Sequence, residues 1–219
     1  MQEKNADLGF AFDGDADRVV CVLGTGEVLD GDDIVYVLAR YFKNKGKIKK
    51  DVVVGTVMTN LGTEKKLASE GVLFERTDVG DKWIAKKLKA QDLFLGAEQA
   101  GHIILHDGFC QGDGVLIARI LAHIFKEQTD LFEDALKGKT YQKKKDINLA
   151  VVSIDESKLK NLVEGVNKSL GQCERIVARK SGTENKLRLM AESYEELKAE
   201  KLLLDLENRV FEEVACVKD

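Results

Sequence analysis

Apolar residues along the 219-residue chain fall into short runs and helical stripes, separated by turns rich in Gly, Asp and Asn. Residues 8–12 and 19–23 are apolar runs of strand length joined by a polar segment, and residues 24–26 read as the turn that follows. Asp30, Gly31, Asp32 and Asp33 carry the signals of a helix start. Ile34, Val37, Leu38, Tyr41 and Phe42 then recur at helical spacing to about Lys43. Residues 52–57 are continuously apolar, the pattern of a parallel strand covered on both faces. Next come a short helix capped by Thr63 and ended by Gly71, a strand at 72–74, and a helix at 81–88 that buries Trp83, Ile84 and Leu88. In the loop before that last helix, residues 77–82, an acidic side chain is expected to cap the helix. Strands follow at 93–96 and 103–105, and residues 114–125 are apolar nearly all round, which predicts a helix buried on every side.

Strands alternating with helices predict a three-layer α/β domain over residues 31–137. The lysine-rich stretch 137–146 has little apolar content and reads as a solvated linker. Beyond it the rhythm changes. A strand at 149–154 leads into a helix opened by the capping-box pair Ser153 and Glu156, with Leu159, Leu162, Val163, Val166 and Leu170 on one face. Two strands, 175–178 and 186–191, flank a polar loop. A helix opened by Ser193 and Glu196 closes the chain, with Leu203, Leu206, Val210 and Val214 on one face. This order predicts a small α+β domain over residues 138–219.

The net charge of −4 gives no electrostatic reason to bind nucleic acid, and no run of residues is apolar for long enough to cross a bilayer. The first residues lack the apolar core of a secretory signal. Four cysteines at 21, 110, 173 and 216 are too dispersed for a zinc site and are expected to be reduced thiols in a cytoplasmic protein, with Cys21 a small core residue. There is no proline, so turns depend on Gly, Asn and Asp.

Candidate chemistry concentrates in three loops. In the first, Asp13, Asp15 and Asp17 alternate with Gly14 and Ala16, and Arg18 follows. Carboxylates so spaced can converge on one hard cation such as Mg²⁺ or Ca²⁺, and an adjacent Arg suits a phosphate. An EF-hand shares this opening but needs Gly where Arg18 stands and Glu where Gly24 stands. A phosphatase of the haloacid dehalogenase type, with Asp13 as nucleophile, and a plain acidic turn are the other readings. The second loop holds Glu98, Gln99 and His102, able to bond sugar hydroxyls and to move protons. His102 and His106 lie too far apart along a strand to share a metal, and His123 reads as structural. In the third loop Arg179, Ser181, Gly182, Thr183 and Arg188 offer two guanidinium groups, two hydroxyls and accessible backbone N–H groups, the needs of a phosphate clamp.

Asp-Gly-Asp-Ala-Asp-Arg at 13–18, Gly-Ala-Glu-Gln-Ala-Gly-His at 96–102 and Arg-Lys-Ser-Gly-Thr-Glu-Asn at 179–185, in that order, resemble the α-D-phosphohexomutase family. Within it, the Glu98–Gln99 pair points to the branch acting on glucosamine phosphates, with the phosphomannomutase and phosphoglucomutase branches as alternatives. The resemblance implies that residues 1–30 end the family's second domain and carry its metal loop. Residues 31–137 would be the third domain with the sugar-recognition loop, and 138–219 the fourth, TATA-box-binding-protein-like domain. It also implies that Asp13, Asp15 and Asp17 hold Mg²⁺ and that Arg18 contacts a phosphoserine phosphate. Glu98 and Gln99 would read the sugar, His102 would be a candidate for proton transfer, and Arg179, Ser181, Gly182, Thr183 and Arg188 would hold the non-reacting phosphate. The loops would line one cleft in which glucosamine 6-phosphate and glucosamine 1-phosphate interconvert through a bisphosphate. Two positions depart from the usual pattern: Ala100 stands in place of Ser, and Asn185 in place of the Pro of many members. The family's phosphoserine loop has no counterpart among the 219 residues. The chain alone is therefore expected to be inactive and to need an N-terminal half in cis or in trans. A non-catalytic phosphosugar-binding module is the competing role, and an unpaired strand edge in residues 6–30 is expected to favour self-association.

Overall fold

The computed structural model describes residue 3 and residues 5–107, 111–150 and 152–217; Cys110 lies outside them. The chain divides into two compact units, Met1–Gly138 and Lys139–Asp219. The first opens with an antiparallel sheet of three strands, β1 (Leu8–Phe12), β2 (Val19–Leu23) and β3 (Val28–Leu29), in that spatial order. The flanks of the acidic segment are thus strands, as their apolar runs predict. β1 ends its sheet with one edge unpaired among the described residues, and Phe12 is exposed.

Helix α1 (Gly31–Asn44) follows. Asp30 accepts from the backbone of Asp32 and Asp33, and Asp33 reciprocates to the Asp30 N–H, a complete capping box. β4 (Val52–Thr56), α2 (Leu61–Ser69), β5 (Leu73–Thr77), α3 (Asp81–Gln91), β6 (Leu95–Ala97) and β7 (Ile103–Leu105) build a second sheet of order β5-β4-β6-β7. β4 runs parallel to β5 and β6, and β7 is antiparallel. Val53 packs into the core shared with α1, whereas Val52 and Val54 pack against Ile84 and Leu88 of α3. That alternation buries β4 on both faces and explains its continuous apolar run. Helices α4 (Gly114–Glu127) and α5 (Asp130–Leu136) complete the unit, with Phe132 fully buried. Cys21 sits in the same core, where burial pushes its thiol pKa up to about 12.

The second unit contains β8 (Tyr141–Asn148), β9 (Val152–Ile154), α6 (Glu156–Ser169), β10 (Arg175–Lys180), β11 (Lys186–Ser193), α7 (Glu196–Arg209), a π turn at Val210–Val214, and β12 (Ala215–Val217). β10, β11 and β8 form one antiparallel sheet, and β9 pairs with β12.

Several expectations from the sequence need correction. The supposed linker is strand β8, paired along its length with β11. Its lysines hid it: Lys143 and Lys145 use their charged ends on Glu196, Glu200 and Glu207 of α7, so only Ile147 buries and no apolar alternation shows. α4 is not buried all round, since Val115 and Leu116 are exposed, and His123 is exposed against Glu127 at 3.1 Å rather than built into the core. Trp83 likewise stays half outside, with Lys82 and Lys86 near its ring. Three caps differ. Asn60, not Thr63, caps α2; Asp155, not Ser153, caps α6; and Gly80, with no side chain to cap, precedes α3. Helix α5 was not anticipated at all.

Candidate functional site

The acidic loop is the hairpin turn between β1 and β2. A turn bond from Ala16 N to Asp13 O (3.2 Å) closes it, and Ala16 takes the left-handed φ of 58° that L-residues rarely adopt. The bend lets Asp13, Asp15 and Asp17 each bring an oxygen within 4.8 Å of the others, the one such group of three metal-ligating residues among those described. Asp13 also accepts from the Arg18 N–H at 3.2 Å, and the Arg18 guanidinium lies 3.7 Å from Asp13 and 3.8 Å from Asp17. Asp17 Oδ2 contacts His102 Nδ1 at 3.1 Å, while Asp17 Oδ1 is buried with no hydrogen-bond partner. The cation nearest that oxygen is the Arg18 guanidinium at 3.8 Å, too far for a hydrogen bond, so the oxygen can still take a metal ion. The oxygen-only donor set and this orphaned atom fit a hard divalent cation such as Mg²⁺.

The loop at 98–102 leaves β6 and returns into β7. Its backbone is tied on two sides: Gly31 N donates to Gln99 O (3.0 Å) and Val19 N donates to Gly101 O (3.1 Å). Glu98 is half-buried, and its Oε1 accepts from the Gly80 N–H at 2.8 Å. Its Oε2 has no hydrogen-bond partner among the described residues and is available to a hydroxyl. Gln99 is more deeply committed: its Nε2 donates to Asp32 Oδ2 (3.0 Å), which also accepts from Asn60 N (2.9 Å). His102 is buried, with its Nδ1 against Asp17. Sequence reasoning missed Gly31, Gly112 and Gly114, because what makes them matter is the backbone pressed against each.

In the second unit, β10 and β11 place Arg179 directly opposite Arg188. Like charges facing each other across a ladder repel, so the pairing is stable only with an anion nearby. Here Glu184 supplies it, accepting from Arg188 Nη2 and, at 2.9 Å, from Lys186 Nζ. Those two contacts, Lys186 first, hold the Glu184 carboxyl below the usual carboxylate range. Arg188 Nε stays buried without a partner. Ser181 and Thr183 lie at the hairpin tip, where Ser181 Oγ accepts from Glu184 N (3.3 Å), and the space around Gly182 is open to an approaching ligand.

Comparison with known proteins decides the kinship. The family model described as phosphoglucomutase/phosphomannomutase, alpha/beta/alpha domain III, matches residues 30–141, and that of the C-terminal domain matches residues 133–209. The chain belongs to the phosphoglucomutase/phosphomannomutase family. A phosphoglucosamine mutase of Bacillus cytotoxicus is 38% identical over 198 residues, covering 88% of this chain and 44% of that protein. One from Bacillus cereus is 38% identical over 197 residues with the same coverage, so the chain spans less than half the length of these relatives. A phosphoglucomutase/phosphomannomutase family protein of Burkholderia thailandensis superposes with a TM-score of 0.79 at 18% identity, over 95% of this chain and 47% of that one. The N-acetylphosphoglucosamine mutase of Aspergillus fumigatus, solved with GlcNAc-6P and magnesium, superposes with a TM-score of 0.73 at 18% identity, over 92% of this chain and 51% of that one. This member of the family therefore carries the phosphohexomutase domain III and IV fold. Among its described residues, no helix is long and apolar enough to cross a membrane.

Proposed function

We propose that this chain supplies the cation-binding, sugar-reading and phosphate-holding parts of a phosphoglucosamine mutase, which interconverts glucosamine 6-phosphate and glucosamine 1-phosphate. The observation that carries the substrate is the 38% identity to phosphoglucosamine mutases. Asp13, Asp15 and Asp17 would hold Mg²⁺, whose positive charge offsets that of a phosphoryl group in transfer. Arg18, beside the acidic loop, meets the phosphate on the donor side. Glu98 Oε2 accepts from a sugar hydroxyl, and Gln99 shapes the same loop while anchored to Asp32. Arg179, Ser181, Gly182, Thr183 and Arg188 hold the phosphate that does not react, fixing the sugar's far end. A cytoplasmic setting is supported by Cys21 and Cys216, which are free thiols.

Because the phosphoserine donor has no counterpart here, the purified chain should show no transfer between C6 and C1 in a coupled assay. Adding the N-terminal half of a relative such as the Bacillus cytotoxicus enzyme should restore it. Turnover by the chain alone overturns the division of labour. Calorimetric binding of glucosamine 6-phosphate without rescue favours a non-catalytic phosphosugar-binding module.

Glu184 occupies Arg188 and Lys186 just as a phosphate would. Glu184→Gln should therefore tighten inorganic phosphate binding by about two- to fivefold, the factor an exposed ion pair carries. The low pKa of Glu184 keeps it ionised through weakly acidic pH, so in the native chain the competition persists there. Phosphate titration followed by ³¹P line shape reads the difference.

A further inference from the structure

We propose that the groove bordered by α1, β6, β7 and α4 is a second ligand site, shaped for an organic anion with an apolar body. The groove encloses about 1020 Å³, enough for a small organic molecule. It lies away from the loop at 98–102: β6 runs into that loop and β7 runs out of it, so Phe94 and Leu105 stand at the opposite end of the two strands. Its floor is apolar. Phe42 of α1 meets Phe94 edge to face, with ring centroids 5.0 Å apart, and Leu105, Leu116 and Ile120 continue the surface. Leu116 is 41% exposed, an apolar side chain left uncovered at the edge of that floor.

Three cations stand at the rim: Lys45, Lys47 and Arg119. Neighbouring lysines are engaged by the protein itself. Lys43 donates to the carbonyls of Glu70 and Gly71, Lys49 to Asp92, and Lys50 to the carbonyl of Gln91. Lys45, Lys47 and Arg119 have no ion pair or side-chain hydrogen bond among the described residues. Lys45 sits over the Tyr41 ring at 5.2 Å and Lys47 over the Phe42 ring at 5.9 Å. A ring face steadies an ammonium without using up its three donors, so these remain for an anion. Lys45, the C-cap of α1, also offsets the negative end of that helix, which leaves Lys47 and Arg119 as the main anion partners. Asp107 and Asp113 border the same groove, but Asp113 is engaged in capping α4, where its Oδ1 accepts from Leu116 N at 2.8 Å. His123, also on the rim, is paired with Glu127 at 3.1 Å. Three cations against two carboxylates leave the lining net positive, and a ligand that offers both a charge and an apolar body uses the rim and the floor together.

The test is a fluorescence titration of the intact 219-residue chain with two probes of nearly the same shape: anilinonaphthalenesulfonate, and phenylnaphthylamine, which lacks the sulfonate. Lys47→Glu and Arg119→Glu together should weaken the sulfonate probe about 10- to 30-fold, since two exposed charge pairs are lost and two repulsions gained. The neutral probe should stay within about twofold of its native affinity, because the floor is unchanged. Leu116→Glu, which sets a carboxylate against the floor, should weaken both probes by about fivefold or more. All three side chains are exposed, so the variants should fold, and melting temperature checks that they do. Displacement of the sulfonate probe by dodecanoate marks a chain-like body, and displacement by uridine monophosphate a ring; either supports the site. Failure of the native chain to bind the sulfonate probe overturns the proposal. So does unchanged affinity in the double charge variant, an equal loss for both probes in that variant, or displacement by inorganic phosphate as effective as by the two organic anions.

Discussion

Converting Asp15 and Asp17 together to asparagine weakens divalent-cation binding by this chain about 100-fold or more, because the site loses two of its three charges and keeps one carboxylate beside two neutral amide oxygens. The same change should move stability in opposite directions with and without metal. Three carboxylates with oxygens within 4.8 Å repel one another when no cation lies between them. The double variant should then melt above the native chain in chelator. In excess cation the order should reverse, since the native chain gains about 2.7 kcal/mol at a free concentration of 100 times its Kd and the variant at most about 0.4 kcal/mol. Paired thermal melts with and without Mg²⁺ at low ionic strength read both signs. A variant that melts below the native chain in both conditions would mean that the carboxylates serve the fold rather than an ion. Asp13 is left unchanged in this design because it also accepts from the Arg18 backbone.

Gly31→Ala should be the most damaging single methyl that can be added near the site. Its Cβ would lie 1.9 Å from Glu98 O and 2.9 Å from Gly101 N, both backbone atoms that cannot rotate away. The first turn of α1 and the loop at 98–102 must separate, and the bond from Gly31 N to Gln99 O goes with them. Overpacking of this kind costs about 3 kcal/mol, which for a unit of this size lowers the melting temperature by roughly 6–12 °C. Gly182→Ala is the control: nothing lies within 4 Å of its added carbon, so the change should stay within about 0.5 kcal/mol. Urea unfolding of the two variants side by side measures the contrast, and equal stability would show that the loop yields without cost.

How much of this was legible in the sequence depended on whether the signal was local. The acidic loop was readable because three carboxylates, two small residues and an arginine are contiguous, and the strands on either side are plain apolar runs. β4 was readable because burial on both faces leaves a continuous stripe of valines. β8 was not, because its partner is β11, some forty residues away, and its lysines bond to a helix later still. The sequence placed Glu98, Gln99 and His102 in one loop but could not separate their duties. Glu98 keeps an oxygen open, Gln99 spends its amide on Asp32, and His102 faces inward to Asp17. Those differences arise from neighbours brought in by tertiary packing, as does the need for bare backbone at Gly112.

The bond from the Gly80 N–H to Glu98 has one further consequence. Gly80, at a φ of 126°, is the residue from which α3 springs, and Trp83 N in turn donates to Gly80 O at 3.0 Å. Trp83 is the single tryptophan of the chain and is partly exposed. A hydroxyl that draws Glu98 toward itself loosens the latch at the foot of that turn, three residues from the indole. If a sugar hydroxyl binds Glu98 as proposed, Trp83 emission should change on its arrival, giving a label-free readout of occupancy.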